Sequence, residues 1–252
     1  KKRANNKTLQ YGFISTGNFN EKTARIYGDH LLMTSDRGIM ADINKVFNVL
    51  KKPKEDYLPV LKTCKNLLVC PEFMREKIEH HIDKEIEEAK AGRKAEMIVK
   101  ANSVSDRALI SKLYEAANAG VVVRGIYCAV NQKDFKEKIK AISIVDEYLE
   151  HARVMYFYNK GAEDIYISSA DWMTRNLDYR IEAAAKITDK NLKKELKDIL
   201  DIQLKDNVKA RILDKKLRNE YIEDDNKECR SQIETYNYLK SKASENIKIR
   251  NS

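Results

Sequence analysis

The chain has 252 residues, enough to bury a sizeable core and to form one large or two small domains. Its 42% hydrophobic and 35% charged residues describe a globular protein in water, and no apolar run approaches the roughly 18–20 residues of a membrane span. A net charge of +9 favours an anionic partner (nucleic acid, an acidic membrane surface or a phosphate polymer), and the four cysteines, Cys64, Cys70, Cys128 and Cys229, lack metal-type spacing and are too sparse for a disulfide scaffold.

The opening Lys1-Lys2-Arg3-Ala4-Asn5 has no apolar segment behind it and does not read as a secretion signal. A reducing cytoplasm is the expected setting, with peripheral membrane attachment left open. Tyr11–Ser15 reads as a strand, followed by Ser15-Thr16-Gly17-Asn18-Phe19-Asn20 and then Lys22-Thr23. Leu31–Thr34 is a second strand. Asp36 is an N-cap for a helix to Leu50, with Ile39, Ile43, Val46 and Val49 at helical spacing. The polar, proline-containing stretch Lys51–Asp56 is the expected domain boundary.

A regular alternation follows. Leu67–Cys70 is a strand, and Met74, Ile78, Ile82 and Ile86 form a helical stripe that ends at Gly92. Met97–Lys100 is the next strand, then a helix from Ser105/Asp106 closed by Gly120, then a strand at Val121–Val123. This order predicts right-handed crossovers and a mixed, mainly parallel α/β sheet flanked by helices. His80 and His81 lie mid-helix without a second ligand at metal spacing and are expected to be structural. Arg124 follows the apolar Val121-Val122-Val123, so it is expected at the carboxyl end of a buried strand, where ligands gather and a charge needs a partner.

Arg153–Tyr158 and Asp164–Ser168 read as two strands joined by a turn at Asn159-Lys160-Gly161. His151 enters the first, and Ser168-Ser169-Ala170-Asp171-Trp172-Met173-Thr174-Arg175-Asn176 leaves the second. An imidazole, guanidinium groups and hydroxyls converging on one point suit a phosphate. Trp172 is expected to pack. Laid against this site, Ser15-Thr16-Gly17-Asn18 falls on Ser168-Ser169-Ala170-Asp171, Phe19 on Trp172, Lys22 on Arg175 and Tyr27 on Arg180: the pattern of a duplicated half-site. Beyond it, Arg180–Ile187 is a strand and Asn191–Asn207 a helix. Val208–Ile222 is expected to continue helically, and Lys240–Ser252 to be frayed, with a short helix at Ile233–Leu239.

Ala141-Ile142-Ser143-Ile144-Val145-Asp146, Tyr148-Leu149-Glu150-His151 and Ser168–Asn176, with Asp178, Arg180 and Glu182, resemble the second half-site of bacterial polyphosphate kinases, members of the phospholipase D-like superfamily. The likeness runs from Phe13 to Arg211. It implies three parts: residues 1–55 as the remnant of a first phospholipase D-like catalytic domain, 56–222 as a second, and 223–252 as a polar tail. It implies reversible transfer of the ATP γ-phosphate to inorganic polyphosphate through a phosphohistidine enzyme. His151 and Arg124 would be the catalytic groups, Tyr27 would contact the nucleotide, and Asn18 and Asn20 would line the same tunnel. Ser169, Arg153, Arg175 and Arg180 would bind phosphate. Magnesium is implied, with ligands outside this chain, and so is a homo-oligomer.

The first copy of the half-site has no histidine ahead of it, so the phosphorylated histidine is expected in an upstream part of the same enzyme. Tyr127–Gln132 departs from the family by lacking the usual proline and glycine. Two other readings compete. A phospholipase D-type phosphodiesterase or nuclease would place Lys and Asp where Arg153 and Tyr158 stand. A basic nucleic-acid-binding module would need cations interleaved with exposed aromatics, and the aromatics here lie mostly in strands.

Overall fold

The computed structural model describes residues 2–4, 7–51, 56–71, 73–130, 139–214 and 218–250. Strands β1 (Lys2–Ala4) and β2 (Lys7–Leu9) form one small antiparallel pair, and β3 (Gly12–Ser15) and β4 (Leu31–Thr34) another. Helix α1 (Arg37–Leu50) starts where expected: the Asp36 carboxylate accepts a bond from the Ile39 N–H at 2.8 Å. Residues 52–55 of the expected boundary lie outside the described residues.

Helix α2 (Leu58–Leu61) leads into β5 (Leu67–Val69), α3 (Phe73–Lys90), β6 (Glu96–Val104), α4 (Arg107–Ala119) and β7 (Val122–Val130). Then come β8 (Ile139–Ile144), β9 (Arg153–Phe157), β10 (Asp164–Ser168), α5 (Thr174–Tyr179), β11 (Ala183–Ile187), α6 (Lys190–Leu204), β12 (Ala210–Ile212) and α7 (Ser231–Arg250). Gly120 closes α4 with φ 102°, a left-handed conformation that a side chain would strain.

Strands β5 to β12 make one sheet in the order β12-β8-β7-β6-β9-β10-β11-β5. The mixed α/β architecture is as expected, and β5 and β7 share the sheet. Strands β5, β6, β7, β8 and β10 run one way and β9, β11 and β12 the other. Parallel neighbours meet only at β6–β7 and β7–β8 among the described residues. The reason is that the later β9–β10–β11 meander inserts between β5 and β6, which the chain order alone would place side by side.

Side chains alternate across the sheet with the two-residue period of a strand. Met97, Val99, Met155 and Phe157 face a core with Met74, Ile78 and Ile82 of α3 and Leu109 and Leu113 of α4. Ile98, Val154, Tyr156 and Ile167 face the other core, with Ile39 and Val49 of α1 and Leu196 and Leu200 of α6. Each such fully buried aliphatic side chain contributes about 1.5–3 kcal/mol.

Two expectations at the C-terminal end are corrected. Residues 208–214 and 218–222 do not continue the helix, and 215–217 lie outside the described residues. The buried Asp206 carboxylate accepts the N–H groups of Val208, Lys209 and Ala210, which turns the chain and lets β12 pair with the edge of β8. Residues 240–250 are not frayed. Helix α7 runs to Arg250, held on α6 by Tyr238–Asp198 at 2.6 Å and Lys242–Glu195 at 3.0 Å.

Candidate active site

The segment before β9 is where the first part of the chain meets the sheet. Gly28 N–H bonds Leu149 O at 2.8 Å, Leu149 N–H bonds Ile26 O at 2.9 Å, and Ala152 N–H bonds Gly28 O at 3.0 Å. This short parallel stitch sets Tyr27 and Asp29 against His151. The Tyr27 and His151 rings lie 4.6 Å apart, and both Asp29 carboxylate oxygens reach His151 Nδ1, at 2.9 and 3.1 Å.

A carboxylate only accepts, so Asp29 favours the proton on Nδ1 and a lone pair on Nε2 in the neutral ring, while Arg153 Nη1, 3.1 Å from the same Nδ1, sets its charge beside the pair without being able to donate to a protonated Nδ1. Nε2 has no hydrogen-bond partner among the described residues. Burial pushes the Asp29 carboxyl up, but the bonds from His151 and Thr16 and the charge of Arg153 more than offset it, holding the group below its usual value. Thr16 Oγ1 donates to Asp29 at 2.6 Å. A Cβ on Gly17 would fall 2.0 Å from Asp29 Oδ2, so this position must lack a side chain for the carboxylate to sit there.

Arg153, buried at the start of β9, ties the two copies of the half-site together. Its Nη1 donates to the Thr16 carbonyl at 2.7 Å, from the first copy. Its Nε and Nη2 grip the Asp171 carboxylate at 3.1 and 2.9 Å, from the second. Asp171 in turn accepts from Ser103 N–H at 2.9 Å, and Trp172 is buried against the end of β6, packing as expected.

The same residue offset that lays Ser15 on Ser168 lays Asp29 on Glu182. Glu182 accepts Ser169 Oγ at 2.5 Å and Asn176 Nδ2 at 2.8 Å. Each copy therefore ends in a carboxylate at the sheet end that holds His151. Sequence reasoning did not single out Asp29 or Thr16. The repeat, carried two residues past Tyr27, was the signal that could have found Asp29.

The structure thus brings Tyr27, His151 and Arg153 together, with Ser169 at the same end of the sheet. Arg175 and Arg180 are exposed and form no ion pair among the described residues. Asn18 is exposed, and Asn20 uses its side-chain oxygen to cap a turn, accepting from the N–H groups of Lys22 and Thr23.

Arg124 is not brought to the cluster. Strand β7 runs on to Val130, so Arg124 lies near its start, in register with Ile98 and ion-paired with Glu96, whereas Arg153 lies one rung past the Lys100–Val154 pair. The expected placement at a strand's carboxyl end is corrected: the strand is longer than its apolar triplet, and residues 131–138 after it lie outside the described residues. His81 is structural, stacked on Phe157 at 4.8 Å and bonded to the Tyr166 hydroxyl at 3.0 Å. No group of three or more His, Cys, Asp or Glu among the described residues could hold a metal ion. No helix among them is long and apolar enough to cross a membrane.

The fold is shared beyond the family: phosphatidylserine synthase of Haemophilus influenzae Rd KW20 superposes on 94% of this chain and 68% of its own with a TM-score of 0.53. At 11% identity this is a likeness of fold alone. The family is set by closer matches. The family description "Polyphosphate kinase C-terminal domain 2" matches residues 67–232 and "Polyphosphate kinase C-terminal domain 1" matches residues 1–56, and the chain belongs to the polyphosphate kinase family. Polyphosphate kinase of Yersinia pestis is 45% identical over 243 residues, covering 94% of this chain and 35% of that protein. The crystal structure of polyphosphate kinase from Porphyromonas gingivalis superposes with a TM-score of 0.87 at 40% identity, over 96% of this chain and 37% of its own. The chain thus spans about a third of the length of the relatives it matches.

Proposed function

We propose that this chain is the C-terminal catalytic part of a polyphosphate kinase that transfers the ATP γ-phosphate reversibly to inorganic polyphosphate through a phosphohistidine. The observation that carries the reading is the His151–Asp29 pair fixed beside Arg153, which both half-site copies hold. Phosphoryl transfer needs little beyond an acceptor, exact placement and neutralisation of the equatorial oxygens. Asp29 orients the imidazole, whose Nε2 can accept a proton from an attacking oxygen or, when protonated, give one to a leaving oxygen. In this reading Tyr27, packed on that ring, meets the nucleotide, and Arg175 and Arg180, which form no ion pair among the described residues, supply cations for a phosphate chain.

Glu182 stands in the second copy where Asp29 stands in the first. In this reading it orients the phosphorylated histidine, supplied by the upstream part that the longer relatives possess. Residues 1–55 are then the end of the first catalytic domain and 56–222 the second. Magnesium accompanies the nucleotide, with protein ligands outside this chain.

The test uses the enzyme that includes the upstream part, labelled ATP and magnesium. Acid-labile phosphohistidine and polyphosphate are expected, and His151→Ala should abolish polyphosphate synthesis. Wild-type enzyme that yields neither product would overturn the reading. The 252-residue chain alone is expected to make no polyphosphate, because groups that act as a unit lose nearly all of their effect when one is missing.

A further inference from the structure

Glu150, the residue before His151, sits in a buried polar network. Its Oε2 accepts Lys100 Nζ at 2.5 Å and Gln203 Nε2 at 2.7 Å, and its Oε1 accepts Gln232 Nε2 at 2.8 Å. Lys100 and Glu150 are 1% and 7% exposed. Burial raises the Glu150 carboxyl, and the charge and hydrogen bond of Lys100 bring it below its usual value. The donors come from β6, α6 and α7, so three elements meet on the residue that carries His151.

Gln232, in the first turn of α7, also treats the backbone at Tyr148 as a strand would. Its side-chain oxygen accepts Tyr148 N–H at 3.1 Å and its Nε2 donates to Tyr148 O at 2.8 Å. Two residues earlier Arg230 forks onto Asp146 at 2.9 and 2.7 Å, and Ser231 N–H is fixed by the buried Asp206 at 2.8 Å. The stretch from Asp146 to Glu150 is not a strand of the sheet, apart from isolated bridges at Val145, Leu149 and Tyr27. Side chains at the head of α7 therefore take over the hydrogen bonding that ladder partners supply elsewhere.

We infer that the first turn of α7 is a positioning element for His151, with Gln232 and Glu150 as its positioning residues. Neither touches the reacting atoms. They fix the backbone from which the imidazole projects, so that its Nδ1–H stays on Asp29 and Nε2 stays aimed at the phosphate. The inference rests on the proposed role of His151 in phosphoryl transfer.

The test compares Gln232→Met, which keeps the volume and removes the amide, with Tyr238→Phe, which removes a hydrogen bond of the same helix two turns away. In the 252-residue chain labelled at histidine nitrogens, the expected result is a broadened or shifted His151 Nδ1–H signal for Gln232→Met and an unchanged one for Tyr238→Phe. In the enzyme with its upstream part, Gln232→Met should lower kcat at least tenfold with the KM for ATP within twofold, and Tyr238→Phe should leave both. An unaltered His151 signal in Gln232→Met, or equal effects of both variants in proportion to lost stability, would overturn the inference. If the signal shifts as expected and wild-type enzyme makes no polyphosphate, the functional reading fails and the positioning stands.

Discussion

The two ends of the large sheet bury charges in different ways. At the end opposite His151, each of these charges closes on a partner in a neighbouring strand or turn. Glu96 pairs with Arg124 across β6–β7, Asp164 with Lys186 across β10–β11 at 2.7 Å, and Glu85 accepts the N–H groups of Glu96 and Asn159 at 3.0 and 2.5 Å. These pairs complete turns and strand ends. At the His151 end, Thr16, Asp29, His151, Arg153 and Asp171 come from segments far apart in sequence and leave His151 Nε2 without a partner among the described residues. A buried charge whose partners leave no reactive atom open serves the fold. A cluster drawn from distant segments, with one reactive atom left open, is what a ligand site requires.

The largest expected difference lies in the buried pairs. Glu150→Ala strands Lys100 in a dry environment and should cost about 3–5 kcal/mol, whereas Glu96→Ala leaves the partly exposed Arg124 able to reach water and should cost about 1 kcal/mol. Urea unfolding of both variants measures this, and equal losses would remove the contrast between the ends.

Each end also holds one histidine kept neutral by burial: His30 near Lys100 and His81 against Phe157, both with pKa lowered to about 4. An unfolded histidine titrates near 6.5, so between these values the unfolded chain binds protons that the folded chain does not. The stability from each group is whole above pH 6.5 and is lost as pH falls toward 4. The loss is on the order of 2–3 kcal/mol each, allowing for partial contact with water. His81→Phe should flatten the pH dependence of unfolding over that window by about half. An unchanged slope would show that His81 takes up its proton in the folded state.

Arg153→Lys keeps the charge and removes the fork that joins Asp171 to the Thr16 carbonyl. A loss of about 2 kcal/mol is expected, together with strongly reduced polyphosphate synthesis by the enzyme with its upstream part. The smallest effect belongs to the opposite end. Arg124→Lys retains an ion pair with Glu96 and should cost under about 1 kcal/mol, with synthesis little changed. Severe loss of synthesis would return Arg124 to the phosphate and break the assignment of the two ends.

Most of the elements were legible in the chain because their signals are local. The Asp36 cap, the Met74–Ile78–Ile82–Ile86 stripe, the Gly120 stop and the strands on either side of Asn159-Lys160-Gly161 each follow from backbone preference and periodicity within one element. The neighbourhood of His151 and Arg153 was legible as well, through the repeat and its chemistry, with Ser169 at the same end of the sheet. What the sequence left open was decided by pairing at a distance. The insertion of β9, β10 and β11 between β5 and β6 turned expected parallel neighbours into antiparallel ones. The carboxylate of Asp206 turned an apparent helix extension into strand β12. Asp29 became the partner of His151 only once the Gly28–Leu149 stitch brought the first part of the chain onto the sheet, and Arg124 was drawn to Glu96 by the register of β6 and β7. Register and docking depend on the whole core closing at once, and no window of neighbouring residues encodes that.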